Sequence, residues 1–308
     1  MYNIKQKPED FIVEEIIKLE LNEKGPYSYF LLEKINLDTE QAIQNICKEL
    51  NLQRKYVSYC GNKDKIAITK QYISIQNLNK EKRKNYDFNF YNLKFIGQGN
   101  ERLNLGSHDG NKFTIIVYSE KEPKAKNKIL NLFGEQRFSN NNHLIGKEII
   151  KGNFKEAINL MLENNGNHER KIKEILEKEK NNYIVALRSV PKKIMNLYIH
   201  AYQSYLFNKI ASKIKIEENI KLPLIGFGTE LDNKIKNIIE EILNEEKISF
   251  RDFIIRKFPE ISSEGTERDL FLEINDLEIK NIKEKTYEIS FTLGKGSYAT
   301  VVVNALFN

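Results

Sequence analysis

Residues Tyr59–Gln71 read Y-C-G-N-K-D-K-I-A-I-T-K-Q, a glycine-led stretch that sets one carboxylate between two runs rich in β-branched and aromatic residues. Upstream, Tyr56 to Cys60 suit a pleated, half-buried surface, and Ile66 to Ile75 do so downstream. The pattern predicts strand, tight loop, strand. Gly61 can adopt backbone angles closed to other residues, so the loop can turn sharply and hold Asp64 at the rim of a sheet between Lys63 and Lys65. These two cations favour an ionised carboxylate. An ordinary charged hairpin connection fits the same stretch, so Asp64 becomes a candidate active-site residue only in the company of the rest of the chain.

Working outward, the 308 residues are 30% charged and 40% hydrophobic, the composition of a soluble globular protein long enough for two compact units. No apolar run approaches the roughly 18 residues needed to cross a bilayer, and Met1 to Lys5 resemble no signal peptide, so a cytoplasmic protein without membrane association is expected. Cys47 and Cys60 are too few for a disulfide framework, and His108, His143, His168 and His200 lack ligand spacing. No metal and no cofactor are expected. The net charge of +6 suits a polyanionic partner without requiring one. Local basic runs at Lys80–Lys84, including Lys82 and Arg83, and at Lys121–Lys128 are solvated faces by default and candidate phosphate contacts if the partner is RNA.

Alternation predicts a strand over Tyr27–Ile35, and helical spacing of Ala42, Ile43, Ile46, Cys47 and Leu50 predicts a helix over Asp38–Leu50, with Asp38 and Gln41 placed for a capping box. A strand is expected over Phe113–Tyr118 and a helix from about Pro123 to Phe133, closed by Gly134. From residue 153 the pattern turns helical: Asn153–Leu162, Glu169–Lys180, Lys192–Ile214, Asn233–Asn244 and Phe250–Phe258. Strand patterns return at Arg268–Ile274, Tyr287–Leu293 and Tyr298–Leu306. The expected class is therefore α+β. A mixed sheet domain, 1–152 and 267–308, is interrupted by a mostly helical insertion, 153–266.

Segments spread from end to end resemble the TruD-type tRNA pseudouridine synthases. Lys5–Glu15, K-Q-K-P-E-D-F-I-V-E-E, is similar to the family's K-x-x-P-E-D-F-x-V-x-E, and Gly61–Thr69 to its G-x-K-D-K-x-A-x-T. Asn131–Phe138, N-L-F-G-E-Q-R-F, resembles N-x-F-G-x-Q-R-F; Ala201–Asn208 resembles A-Y-Q-S-Y-L-F-N; and Gly296–Thr300 resembles G-S-Y-A-T. Their shared order carries the resemblance. It implies a pseudouridine-synthase-type sheet domain holding a TruD-specific insertion, and an isomerase that converts a uridine in tRNA, uridine 13 of the D-arm, to pseudouridine. It also leaves open other structured RNA as substrate and implies no obligate protein partner.

That reaction breaks the C1′–N1 bond, turns the uracil and joins its C5 to C1′. It needs a flipped base and one carboxylate, with no redox step and no energy input. The resemblance gives the carboxylate role to Asp64, which would either attack C1′ or take the 2′ proton. It makes Lys5 the cationic partner of Asp64, Phe133 the aromatic that stacks on the uracil, and Asn131 a hydrogen-bonding residue for Asp64 or the base. Lys63, Lys65, Gln136, Arg137, Lys82 and Arg83 become RNA-contact candidates. Without the motif, Lys5 reads as a surface residue and Phe133 as core packing. Tyr198, Tyr202 and Tyr205 sit at helical spacing and read as the apolar face of a packed helix rather than a stacking stripe.

Two positions depart from the family. Ser139 stands where the family commonly continues with glycine, which bears on the local turn, and no arginine follows Ala299-Thr300, where Val301 to Leu306 run apolar. Two rival readings remain. Gly294–Val302 resembles the start of a kinase glycine-rich loop, but too little chain follows for the catalytic parts. A non-catalytic RNA-binding or RNA-chaperone protein on the same scaffold would not need Asp64, Lys5 and Phe133 together.

Overall fold

A computed structural model of the chain describes residues 2–163 and 167–308. In chain order the strands are β1 (Tyr2–Asn3), β2 (Phe11–Ile16), β3 (Tyr27–Ile35), β4 (Val57–Tyr59), β5 (Ile68–Gln76), β6 (Tyr86–Phe88) and β7 (Tyr91–Gly99). They continue with β8 (Gly110–Ser119), β9 (Lys128–Leu130), β10 (Lys221–Leu224), β11 (Thr266–Asp269), β12 (Phe271–Glu273), β13 (Asn275–Lys283) and β14 (Thr286–Gly294). The helices are α1 (Thr39–Glu49), α2 (Asn142–Ile150), α3 (Phe154–Leu162), α4 (Asn167–Lys178), α5 (Tyr183–Arg188), α6 (Lys192–Lys213), α7 (Lys236–Glu246) and α8 (Ala299–Phe307). The class is mixed α+β, and the chain divides into two compact units. One comprises the residues up to Ile129 together with Glu273–Asn308; the other is Leu130–Leu272.

The first unit is built on a sheet of order β13-β14-β8-β2-β5-β3-β7-β6, with β1 added to β8 and β4 to β5. Every pairing is antiparallel except β2 with β5, which aligns Ile12 with Ile68 and Glu14 with Lys70. Alternation along β3 and β5 buries Phe30, Leu32, Ile73 and Ile75 against Ala42, Ile43, Ile46 and Cys47 of α1. That helix starts where expected because the Asp38 carboxylate accepts from the backbone N–H of Glu40 at 2.8 Å and of Gln41 at 3.4 Å.

The second unit is helical around one apolar core that includes Ile145, Ile149, Tyr198, Tyr202, Leu206 and Ile210. The tyrosines of α6 are structural, as the helical spacing suggested. Tyr198 and Tyr202 are buried, and the hydroxyls of Tyr202 and Tyr205 donate to the Glu246 carboxylate. Burial pushes the Glu246 carboxyl up, but the ammonium groups of Lys147 at 2.6 Å and Lys209 at 2.7 Å outweigh it and bring its pKa to about 2.

Several expectations need correction. Residues 123–133 form no helix: Lys124 donates its N–H to Leu306, Asn131 donates to Leu270, and the segment between them contains β9. Distant partners thus take the backbone groups that a helix would have used. Tyr298–Leu306, read as a strand from its valines, lies instead in α8, where Val302, Val303, Leu306 and Phe307 are buried at helical spacing. Packing overrides β propensity there. Phe250–Phe258 keeps only a 3₁₀ turn at Phe250–Phe253, and Arg268–Ile274 is split between β11 and β12. The link from β4 to β5 is longer than a tight hairpin, because Tyr59 pairs with Ile73 while β5 begins at Ile68.

The compact units change over at Leu130 and Leu272, outside the 153 and 266 suggested by composition. Helix α2 accounts for much of the earlier boundary, since its Ile145 and Ile149 belong to the helical core. At Gly146 an added Cβ would lie 2.1 Å from the Tyr198 carbonyl oxygen, so α2 and α6 approach too closely for any side chain. Gly146→Ala is expected to destabilise the protein by about 1–3 kcal/mol through overpacking. Urea denaturation checks this; a midpoint equal to that of the wild type would exclude such a contact.

Candidate active site

The loop that carries Asp64 is held along its length by groups from α1, from β5 and from the segments that follow β3 and β7. Cys60 O accepts from Gly106 N at 2.7 Å, Gly61 O from Gln71 Nε2 at 3.0 Å, and Ala67 O from Asn36 N at 3.2 Å. Lys63 N donates to Thr39 Oγ1 at 3.0 Å, and that hydroxyl lies 3.1 Å from Gln71 Oε1. Thr39 and Gln71 are fully buried. The bonds to Cys60 O, Gly61 O, Ala67 O and Lys63 N satisfy backbone groups of the loop, and the Thr39–Gln71 bond ties together the two side chains that make two of them.

Two lysines work inside this frame. Lys63 does not face solvent: its ammonium pairs at 2.6 Å with Glu15 of β2, and the two side chains are 6% and 0% exposed. The other Glu15 oxygen accepts from Tyr72 N at 2.9 Å. Lys63 therefore anchors the loop, and the expectation that it contacts RNA is corrected by its burial. Lys34, on β3, is wholly buried and donates to Leu37 O at 2.7 Å and to Asp64 O at 3.0 Å. Burial lowers its pKa to about 8, with the carboxylates of Asp38 and Asp64 pulling it back up and the Lys63 ammonium pushing it further down.

The Asp64 side chain leaves the loop on its open side, 38% exposed, and its Oδ2 meets Lys5 Nζ at 2.5 Å. Sequence reasoning paired these residues, 59 positions apart, and the structure brings them together. Lys5 is directed by its surroundings. Its backbone sits in the left-handed region at φ 57°, and its ammonium lies 3.9 Å from the centroid of the Phe11 ring, a cation–π contact. The rest of the N-terminal motif is scaffold. Pro8–Asp10 forms a 3₁₀ turn, and the fully buried Asp10 accepts from Lys7 N and the Tyr118 hydroxyl. Lys65 is exposed beside Asp64.

Asn131, Phe133, Gln136 and Arg137 belong to the second unit, where a residue missed in the sequence organises the first two. Arg268 of β11 donates through Nε to Asn131 O at 3.0 Å and through Nη2 to Asn131 Oδ1 at 2.5 Å, and its guanidinium lies 4.3 Å from the centroid of Phe133. The Asn131 amide nitrogen donates to Asp269 O at 3.1 Å. Asn208 of α6 clamps the Phe133 backbone by a reciprocal pair of 2.9 Å bonds, and Phe207 meets the Phe133 ring edge-on at 5.5 Å. The half-buried ring is thus covered by Arg268 on one face and fixed at its edge. Only its separation of 137 residues from Asn131 kept Arg268 out of the sequence reading. Arg137 donates to Ser204 Oγ at 3.2 Å, and Gln136 is exposed.

Ser139 has φ 45°, so the turn that glycine favours is kept by a residue with a side chain. Lys82 Nζ donates to Leu50 O, and the Arg83 fork holds Leu78 O and Gln98. These two expected phosphate contacts are engaged within the protein. Among the described residues no group of His, Cys, Asp and Glu side chains could hold a metal ion, and no helix is long and apolar enough to cross a membrane.

The sequence model of the family described as tRNA pseudouridine synthase D (TruD) matches residues 2–171, 161–221 and 215–306. The "Probable tRNA pseudouridine synthase D" of Nanoarchaeum equitans is 34% identical, with 99% of this chain and 98% of that protein covered. The tRNA pseudouridine synthase D of Aquifex aeolicus is 30% identical, covering 99% and 97%. A crystal structure assigned to tRNA pseudouridine synthase D (TruD) of Methanosarcina mazei superposes with a TM-score of 0.80 at 27% identity, covering 99% of this chain and 93% of that one. The chain belongs to the TruD family of tRNA pseudouridine synthases, which are isomerases.

The buried pair beneath the loop gives a direct test. Lys63→Met leaves the Glu15 carboxylate buried without its partner, and removing one member of such a pair costs about 3–5 kcal/mol. A fall in the denaturation midpoint of that order is expected. Wild-type stability in Lys63→Met would show that the pair does not anchor the loop.

Proposed function

We propose that this chain converts a uridine of tRNA to pseudouridine, that uridine 13 is the position modified, and that Asp64 is the essential carboxylate. The observation that carries the reading is the Lys5–Asp64 pair, presented on the open side of a loop whose backbone is fixed from below. A held, ionised carboxylate suits either attack on C1′ or removal of the 2′ proton, and Lys5 aims it in both cases. Phe133 is proposed to stack on the extruded uracil, which would retain the free base while it turns. Asn131 is proposed to act through Arg268, which it holds over that ring. Lys65, Gln136 and Arg137 remain proposed RNA contacts. A tRNA substrate places the protein in the cytoplasm under this reading.

Asp64→Asn is expected to abolish pseudouridine formation while tRNA affinity stays within a few-fold, because many phosphate contacts carry binding. Carbodiimide adducts read by primer extension on an unmodified tRNA measure the product and locate the nucleotide. Turnover by pure Asp64→Asn protein would remove Asp64 from the mechanism. An inactive wild type that still binds tRNA would favour an RNA-binding protein without the chemistry.

Phe133→Ala should slow single-turnover formation at saturating enzyme far more than it weakens binding, since stacking one base is worth about 1–3 kcal/mol. Phe133→Tyr, which keeps the ring, should retain more activity. A lowered melting temperature with a wild-type rate in Phe133→Ala would make the ring a packing residue.

A further inference from the structure

The chemistry given to Asp64 leaves one charged group next to it without a role. Lys34 is wholly buried, yet its ammonium bonds to two backbone carbonyls, those of Leu37 and Asp64, rather than to a carboxylate. A buried cation is expensive, and a neutral side chain with two N–H groups could satisfy the same carbonyls at lower cost. The positive charge itself therefore calls for a reason. It lies behind the Asp64 backbone, on a strand paired on both sides, while Lys5 meets the carboxylate in front.

We propose that Lys34 is a positioning residue for pseudouridine formation, its ammonium holding the Asp64 carbonyl and attracting the carboxylate from inside the protein so that Asp64 stays in its reacting orientation. The proposal rests on the reading of Asp64 as the essential carboxylate. It assigns Lys34 no contact with RNA and no proton transfer, so its loss slows the chemical step and leaves binding intact.

The groups that face Lys34 electrostatically are Asp38 and Asp64, which favour its charge, and Lys63, which opposes it together with burial. With a pKa of about 8 in the folded protein, below the ordinary lysine value, Lys34 loses its charge at a pH where the unfolded chain still keeps it. Between about pH 8 and the ordinary lysine value the unfolded chain binds more protons, so the contribution of Lys34 to stability rises with pH. A merely structural Lys34 would let activity persist as stability improves. A positioning cation makes turnover fall over that same rise.

The test is single-turnover pseudouridine formation at saturating enzyme from pH 7 to 9, with melting temperature and tRNA affinity measured alongside, for wild type, Lys34→Met and Asp64→Asn. The wild-type rate is expected to fall about tenfold by pH 9, one unit above the pKa. Lys34→Met is expected to be at least about tenfold slower at pH 7, to lack this alkaline limb and to bind tRNA within about threefold. A wild-type rate in Lys34→Met overturns the proposal, as does an alkaline limb preserved in that variant. If Lys34→Met does not fold, the wild-type profile decides: a flat rate to pH 9 overturns the proposal, and a fall against unchanged or rising stability supports it. Turnover by Asp64→Asn defeats the reading of Asp64 itself, whereas inactive Asp64→Asn beside fully active Lys34→Met defeats only the role of Lys34.

Discussion

The ion pair between Lys63 and Glu15 is the constraint from which the candidate active site is built. Both charges are removed from water, which costs several kcal/mol per ion unless geometry and further hydrogen bonds compensate. Compensation comes from a 2.6 Å contact and from Tyr72 N, which occupies the second Glu15 oxygen. Because Glu15 lies on β2 and Tyr72 on β5, the pair sets the loop's register against the sheet's one parallel junction. With the Lys63 side chain turned inward, the next residue, Asp64, is presented outward. The buried anchor at Lys63, more than any property of the aspartate, fixes the point of the loop from which the carboxylate emerges.

A similar economy governs the second unit. Phe133 is not simply an exposed aromatic: its backbone is fixed by Asn208 and its ring lies under a guanidinium held by Asn131. Planar cation and planar ring favour one another, and the bidentate grip of Asn131 limits the rotation of Arg268. Asn208 closes the A-Y-Q-S-Y-L-F-N segment and Asn131 opens N-x-F-G. Two motifs that look independent in sequence therefore meet at one ring.

Much of this was legible in the amino-acid sequence where the signal is local. The alternation of β3 and the cap at Asp38 gave their elements to within a residue or two, because short-range periodicity and side-chain capping fix them. The resemblance supplied the Lys5–Asp64 partnership, which no local rule could. The misreadings occurred where distant residues decide: α8 is helical because its valines pack at helical spacing, and residues 123–133 form no helix because Leu306 and Leu270 claim backbone groups there. Lys63 and Lys34 were equally hidden. In sequence a lysine is a surface residue until a partner such as Glu15, 48 positions away, is brought against it.

The connectivity of the sheet has a consequence for biosynthesis. Strand β14 pairs with β8 along its whole length, from Thr286 opposite Tyr118 to Gly294 opposite Gly110, and the second unit is encoded entirely between them. A ribosome thus delivers the contiguous helical unit before the last long strands of the sheet have emerged. Until then β8 is an edge strand on its β14 side, carrying unpaired N–H and C=O groups and the apolar side chains of Phe113, Ile115 and Val117. The order of translation therefore opposes the order of the sheet. The Asp64-bearing unit is the first begun and the last completed, and the pairing that completes it is one of high contact order, the kind that loop-closure entropy disfavours.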